Sequence, residues 1–434
     1  MSPTHYDVLI VGGGQAGIPL AYALAKAGRR VALAEHKNLG GSCVNFGCTP
    51  TKAAIASARV AHLARRGAEF GLKIPTVEVD FPKVLARARD IVLKSRDSLD
   101  QGFENIDNPT LLRGHARFLG PGFRLDIDGR EVTATEVVLN TGARTDIPKI
   151  AGLDMNAAIT SENWLDQTEA PERLAIIGGG YIGMEMGQFY QRMGSRVAIW
   201  HQGARVLEHE DEDVSAALQG FVEADGVEVH LNARIEKADQ LNATHVFLAT
   251  GRVPNTDELG LETIGVKLEP HGSITVDARL RTTVAGVWAA GDIRGGPQFT
   301  HTSWDDFRIL LSQMTGDGSR TTDRIIPYAV FTDPELGRVG MTEREAQGRN
   351  FAVKRFEMKS NGKAREIGEP VGFIKVIVEQ KTGRILGAAV VACDAAELVH
   401  MYVDIMNAGA SANVIRDAIH IHPTLAEAVQ SAVS

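Results

Sequence analysis

The sequence predicts an α/β protein with two successive doubly wound units and a C-terminal α+β domain. Three observations carry that prediction. The pattern DVLIVGGGQAGIPLAYALAKAGRRVALAE at 7–35 recurs as LAIIGGGYIGMEMGQFYQRMGSRVAIWH at 174–201. Each copy later reaches an apolar strand ending in Thr-Gly, VVLNTGA (Thr141, Gly142) and VFLATGR (Thr250, Gly251). From about residue 324 the glycine pattern is gone, and short apolar runs alternate with turn residues and amphipathic stretches.

Each repeat reads as strand, G-x-G-x-x-G turn, amphipathic helix and second strand, with glycines Gly12, Gly14, Gly17 and Gly178, Gly180, Gly183. Such glycines permit a tight turn and let the backbone approach a pyrophosphate at a helix N-terminus. One copy alone could be a flexible loop. Two copies in matched context predict two Rossmann-like dinucleotide-binding domains. The first unit also carries a β-hairpin, FRLDIDGREVTA, with Asp128-Gly129 as its turn. The second unit is shortened at that point. After residue 275 the run TTVAGVWAAGD ends in Gly291-Asp292, and Thr302-Ser303-x-x-Asp306 reads as the capping box of a following helix. The last region predicts antiparallel strands in YAVFT, GFIKVIVE and ILGAAVV, a hairpin turn at KTG 381–383, and helices over 395–409 and 412–419. The expected domains are 1–148 with 272–322, 149–271, and 323–434.

Composition excludes several classes. The 434 residues are 44% apolar and 23% charged, which is ordinary globular usage. A net charge of −8 without a basic cluster argues against a nucleic-acid partner. No apolar run approaches the roughly 18 residues of a membrane span, and the N-terminus lacks the features of a secretory leader. Three cysteines cannot staple a secreted domain of this size. The expected compartment is the cytoplasm.

The two dinucleotide sites differ at the end of their second strands. Glu35 is suited to hydrogen-bond adenosine ribose hydroxyls and would repel a 2′-phosphate, so the first site should take FAD or NAD. His201 holds the equivalent position in the second copy, with Arg205 four residues on. A 2′-phosphate becomes admissible there, and the pattern leans to NADPH over NADH.

Cys43 and Cys48 lie in GGSCVNFGCTPTK. Five residues of regular helix rise about 7.5 Å, whereas bridged Cα atoms lie roughly 4.4–6.8 Å apart. A disulfide therefore needs a distorted helix start, which Gly47 and Gly40-Gly41 permit. So short a loop makes a poor structural brace, and a reducible bond is its better use. A helix N-terminus with Lys52 one turn on would lower a thiol pKa. Two unrelated reduced cysteines remain the alternative. Cys393 follows an apolar strand and reads as a buried, inert thiol.

Together the two fingerprints, GGSCVNFGCTPTK, GGGYIGME, the ATGRxPN stretch at 249–255, AAGD at 289–292 and the terminal HPTLAE resemble a flavoprotein pyridine-nucleotide-disulfide oxidoreductase. That family includes glutathione reductase, dihydrolipoamide dehydrogenase and mercuric reductase. The resemblance implies that Gly12, Gly14, Gly17, Glu35, Thr141 and Gly142 hold the ADP half of FAD, and that Asp292 binds a ribitol hydroxyl. It implies that Gly178, Gly180, Gly183, His201, Arg205 and Gly251 hold NAD(P)H, with Tyr181 covering the nicotinamide pocket. Lys52, paired with Glu185, would stand beside the flavin. The helix starting near Ser303 would point its positive end at the flavin pyrimidine. Cys48 would be the thiolate facing the flavin and Cys43 the interchange thiol. His422, oriented by Glu427, would be the acid–base group. In the family this dyad reaches the cysteines from the other subunit, which makes the chain a homodimer with a shared active site. No resident metal is expected.

The acceptor is open to two resemblances. The segment GGPQFTHTSWDDFRIL and the short C-terminus resemble the branch of the family tied to bacterial reactive-chlorine resistance and copper(II) reduction, with His301 either part of an altered flavin environment or a helix cap. GCTPTKAAIASARVAHLARR resembles chains called mercuric reductase, but the vicinal C-terminal cysteines and N-terminal CxxC of those enzymes are missing, and His422 stands where they usually have tyrosine. The expected acceptor is a small disulfide or a metal ion. Dihydrolipoamide dehydrogenase is one alternative and a redox sensor without turnover is another.

Overall fold

The computed structural model describes residues 3–104, 109–155 and 157–434. Its first sheet is built on strand Thr4–Val11, whose residues Val8, Leu9 and Ile10 are fully buried, as a central parallel strand covered on both faces requires. It pairs in parallel with Val31–Glu35 on one side and Arg130–Leu139 on the other. Thr110–Arg113 extends the first side, and Val287–Ala289 pairs in parallel with Arg130–Leu139. Helix Gly17–Lys26 follows the first glycine turn. The predicted hairpin is present: Ile127 faces Arg130, and Asp128 and Gly129 both take positive φ (45° and 84°), the backbone of a two-residue hairpin turn. Strand Ala116–Gly120 pairs with the outer arm.

The second sheet repeats the plan with parallel strands in the order Glu228–His230, Arg196–Trp200, Arg173–Ile177, His245–Leu248, Ala158–Ile159. Helix Tyr181–Arg192 follows its glycine turn. Between Glu228–His230 and His245–Leu248 lies a short 3-10 turn, Ala238–Gln240, instead of a hairpin, as the shortened spacing predicts. The two units are tied at their Thr-Gly corners. Ala143–Thr145 pairs antiparallel with Arg252–Pro254, and Thr141 and Asn255 exchange hydrogen bonds of 2.6 and 2.9 Å.

The third region is a five-stranded antiparallel sheet, ordered Tyr328–Val330, Glu335–Gly340, Ile385–Ala392, Phe373–Glu379, Phe351–Glu357. Its helices are shorter than predicted. The 395–409 helix is interrupted at Val399, where Tyr402 N–H bonds the Val399 carbonyl three residues back. The 412–419 helix is cut to Asn413–Arg416, because the Gln430 side chain takes the Arg416 and Ala418 carbonyls.

The capping box is also corrected. The helix starts at Thr300, not near Ser303, and no side chain caps it. Asp306 is instead fully buried, accepting from Gly291 N–H at 2.8 Å and pairing with Arg294 and Arg324. A carboxylate held by two guanidinium groups in the interior has no reach left for a helix end.

Two long helices, Cys48–Arg65 and Phe81–Glu104, bridge the first and second units. Ala54, Ala58 and Ala61 of one share a core with Phe81, Leu85, Ala88 and Val92 of the other and with Phe189 and Tyr190 of the second unit.

Candidate functional site

A cavity of about 1810 Å³ runs between the first unit, the helix Cys48–Arg65, the start of helix Tyr181–Arg192 and the edge of the third region. Its wall includes Gly12, Gly14, Glu35, Cys43, Cys48, Lys52, Thr141, Gly142, Tyr181, Glu185 and Asp292. These predicted site residues, far apart in the chain, meet on one surface.

The glycine turns work as close crossings. Gly12 has φ +108°, and a Cβ there would lie 2.3 Å from the Asn140 carbonyl; Gly178 has φ +117° and the same conflict at 2.2 Å with the Ala249 carbonyl. Gly17 and Gly183 then pack directly on the carbonyls of Gly12 and Gly178. Glu35 is buried, and its two oxygens accept from Gly13 N–H and Lys37 N–H, each at 2.7 Å. His201 does the equivalent work in the second turn, its Nδ1 accepting Gly179 N–H at 3.1 Å. Gly178, Gly180, Gly183, His201, Arg205 and Gly251 do not line the large cavity.

The cysteines sit at a break between two helices. Cys43 lies within Gly41–Asn45 and Cys48 opens Cys48–Arg65. Gly47 makes the break possible, since a Cβ there would lie 2.9 Å from the Ser42 carbonyl. Trp164 Nε1 donates to the Phe46 carbonyl at 2.9 Å, and Asn45 Nδ2 donates to the Leu39 and Gly41 carbonyls, so the break is held from outside. The two sulfurs are free thiols on one cavity wall, close enough to shift each other's titration. The neighbouring Cys48 and burial hold the Cys43 thiol well above its ordinary pKa. Cys48 is lowered to about 6, first by the Cys43 bond, then by the Thr300 hydroxyl at 3.2 Å and the Lys52 charge. Their roles are thus electrostatically distinct: Cys48 carries the anion and Cys43 the proton.

Lys52 Nζ bonds Glu185 Oε2 at 2.6 Å and stands over the Phe331 ring at 4.5 Å, while Glu185 Oε1 accepts Phe331 N–H at 2.9 Å. Tyr181 packs 6.0 Å from the Phe299 ring, its phenol pushed up to about 12 by burial. Burial also raises the Asp292 carboxyl despite Arg252 at 3.8 Å. Cys393 is buried, takes an Arg59 hydrogen bond at 3.3 Å and is raised to about 12 by burial. His301 bonds the Pro327 carbonyl at 2.6 Å and stacks on Phe299, so it does not cap the helix, and it lines the same cavity as the cysteines.

His422 Nδ1 lies 3.0 Å from Glu427 Oε1, and Glu427 Oε2 is fixed by Thr424 N–H at 2.9 Å. This pair does not line the cavity holding the cysteines of its own chain; His422 is open to solvent beside Ile419 and Ile421, which are 100% and 80% exposed.

Sequence reasoning missed Asn140, which braces the first glycine turn through the Gly12 carbonyl, and Thr300, which touches Cys48. Both precede residues it did select, Thr141 and Thr302, so only a small shift along the same motifs separated them. Arg252 was missed too, and Thr302 was read only as part of a capping box. Arg252 Nε and Thr302 Oγ1 lie on the cavity residues, buried and without a hydrogen-bond partner. Unpaired buried donors beside a glycine cradle fit a large polar ligand such as a flavin dinucleotide.

Residues 6–306 match the model of the pyridine nucleotide-disulphide oxidoreductases, and residues 326–433 match the dimerisation domain of the same proteins. The chain is 34% identical over 457 residues to the probable pyridine nucleotide-disulfide oxidoreductase RclA of Escherichia coli K12, covering 99% of both. It is 31% identical to a dihydrolipoyl dehydrogenase of Cupriavidus necator, covering 99% of this chain and 97% of that one. Against the mercuric reductase of Bacillus cereus it is 29% identical, covering 99% of this chain but 71% of the relative. Among solved structures, the HOCl-induced flavoprotein disulfide reductase RclA from Escherichia coli superposes with a TM-score of 0.91 at 33% identity over 99% of each chain. Its Cu(II) complex superposes with a TM-score of 0.90 at 33% identity over 98% of each.

Proposed function

The chain belongs to the pyridine nucleotide-disulphide oxidoreductase family, and from that premise we propose that it passes electrons from a nicotinamide dinucleotide, by way of FAD, to Cys43 and Cys48 and on to a small disulfide or a metal ion. The flavin, when bound, supplies two-electron chemistry between nicotinamide and sulfur. The chain's own residues do the rest. The turn at Gly12, Gly14 and Gly17 receives the pyrophosphate, and Glu35, whose oxygens each keep a free lone pair, receives the ribose. Lys52, oriented by Glu185, keeps a positive charge near Cys48 and favours its thiolate.

Cys43, the protonated partner, is the interchange thiol. Its proton leaves to a base and its sulfur attacks the acceptor disulfide; Cys48 then displaces the acceptor thiol. Cys43 gives up one proton to the base and Cys48 is already a thiolate, so the two sulfurs become one disulfide, two electrons pass to the acceptor, and its two released sulfurs take up that proton and one more from solvent. His422 is the base, with Glu427 setting the imidazole so that Nε2 faces outward. Because the dyad stands off the cavity of its own chain, it serves the cysteines of a second copy in a homodimer.

The observation that carries this reading is that Cys43 and Cys48 share one cavity wall with the first glycine turn, Lys52 and Tyr181. For a metal-ion acceptor, the Cu(II) complex of the Escherichia coli relative is the supporting comparison. Among the described residues, one trio of side chains has metal-ligand spacing, Asp211, Asp213 and Glu343, and Lys375 already pairs with all three. A metal acceptor is therefore assigned to the Cys43 and Cys48 sulfurs and not to this trio. The preformed His422–Glu427 pair also favours a second reading, oxidation of a dithiol such as dihydrolipoamide.

Anaerobic titration of the flavin-loaded protein with NADH and with NADPH tests the first half. A long-wavelength band at two electrons, lost in Cys48→Ser, is expected. A protein that fails to retain flavin, or one whose cysteines do not change redox state with it, overturns the reading. Acceptor identity follows from nucleotide oxidation with disulfides, dihydrolipoamide, Cu(II) and Hg(II), each against Cys43→Ser.

A further inference from the structure

The second nucleotide turn has no acid at its strand end, yet an acid has been brought back to that place from further along the chain. His201 Nδ1 accepts Gly179 N–H. That bond uses the Nδ1 lone pair and leaves the ring proton on Nε2. Nε2 is buried and has no hydrogen-bond partner. Facing it is Glu208 Oε1 at 3.8 Å, too far for a hydrogen bond. The Glu208 carboxylate reaches there by folding over Gly203, where a Cβ would lie 1.8 Å from Oε1 and 2.8 Å from His201 Nε2. Any side chain at position 203 would push the pair apart. A donor and an anionic acceptor thus stand 3.8 Å apart at the position that selects the adenosine ribose.

We propose that His201 and Glu208 hold the adenosine 2′-hydroxyl between them and thereby select NADH over NADPH. A hydroxyl can accept from Nε2–H and donate to the carboxylate at once. A 2′-phosphate, mostly dianionic at neutral pH, has no proton to offer Glu208 and meets its charge instead. Arg205, the cation that made NADPH admissible in the sequence, is turned into its own loop: Nη2 donates to the Glu208 carbonyl at 3.2 Å and Nε is buried. The proposal runs against the lean to NADPH read from the sequence. The inference rests on the second turn being a nicotinamide-dinucleotide site.

Calorimetric titration of the full flavin-loaded chain with 5′-AMP and with 2′,5′-ADP tests the pair without turnover. The expected result is 5′-AMP binding tighter by about tenfold or more. In Glu208→Gln, with unchanged circular dichroism, 2′,5′-ADP should gain about tenfold while 5′-AMP weakens a few-fold, and the ratio of kcat/KM for NADH over NADPH should shrink in parallel. Equal or reversed affinities in the unaltered chain, no change in Glu208→Gln, or no binding of either nucleotide overturns the proposal. Selective binding of 5′-AMP by a protein whose flavin neither nucleotide reduces would instead sink the electron-transfer reading and leave this one standing.

Discussion

Lys52 Nζ lies 2.6 Å from Glu185 Oε2, joining the helix opened by Cys48 to the helix that follows the second glycine turn. Glu185 is buried at 3% exposure while Lys52 is 31% exposed, so the pair has one dry end and one wet end. Removing Lys52 strands a buried carboxylate. Lys52→Met should destabilise the protein by about 1–3 kcal/mol, below the range for a fully buried pair because water reaches the lysine. It should also raise the Cys48 pKa. Urea unfolding and the pH dependence of thiolate absorbance check the two halves.

Cys48 should react as a thiolate from about pH 6 upward. Its thiolate fraction grows as pH rises through that value, so alkylation of the dithiol protein should increase across the same interval and fall on Cys48, with Cys43 spared. Because the Cys43 bond is the largest cause of the lowering, Cys43→Ala should move the midpoint up more than Thr300→Val does. Mass-spectrometric mapping of iodoacetamide labelling against pH gives both midpoints. Cys393→Ala should leave them where they are.

His422→Asn should cut disulfide reduction by about 10²–10⁴-fold, the usual worth of a positioned acid–base group, while the nucleotide half-reaction keeps its rate. Stopped-flow measurement of each half separates them. Mixing Cys48→Ser chains with His422→Asn chains should restore part of the activity in the heterodimer, because one site then has both intact cysteines and an intact histidine. No recovery would show that the dyad serves its own chain.

Asp306→Asn should be costly away from the cysteines. The carboxylate is fully buried between Arg294 and Arg324 and also holds the Gly291 N–H. Loss of its charge leaves two buried guanidinium groups without their shared partner, a change worth about 3–5 kcal/mol. Thermal and urea unfolding read it directly, and a loss under about 1 kcal/mol would contradict the burial argument.

Much of this architecture was legible before folding. The hairpin at Asp128-Gly129 was readable because two consecutive positive-φ residues restrict the choice to a few side chains. The bent entry at Cys48 was readable because Gly47 and Gly40-Gly41 bracket it. Helix Phe81–Glu104 shows the opposite outcome. Its buried Phe81, Leu85, Ala88 and Val92 follow helical spacing and Asp80 caps its start by accepting Lys83 N–H at 3.0 Å, yet the sequence reading passed over the segment. The Thr302-Ser303-x-x-Asp306 signal failed for another reason. A local pattern cannot register that Arg324, 18 positions away, claims Asp306 first.

By itself, the sequence determined the two glycine turns, the strand–turn–helix units around them, and the sulfur pair with its neighbouring lysine. Each depends on backbone freedom or on side chains within a few residues of one another, and so each is written locally. Only the tertiary structure decided where Asp306 is spent and that Glu208 stands against His201. Those outcomes depend on distances between groups separated in the chain, where a shift of an ångström or a competing partner changes which charge is satisfied.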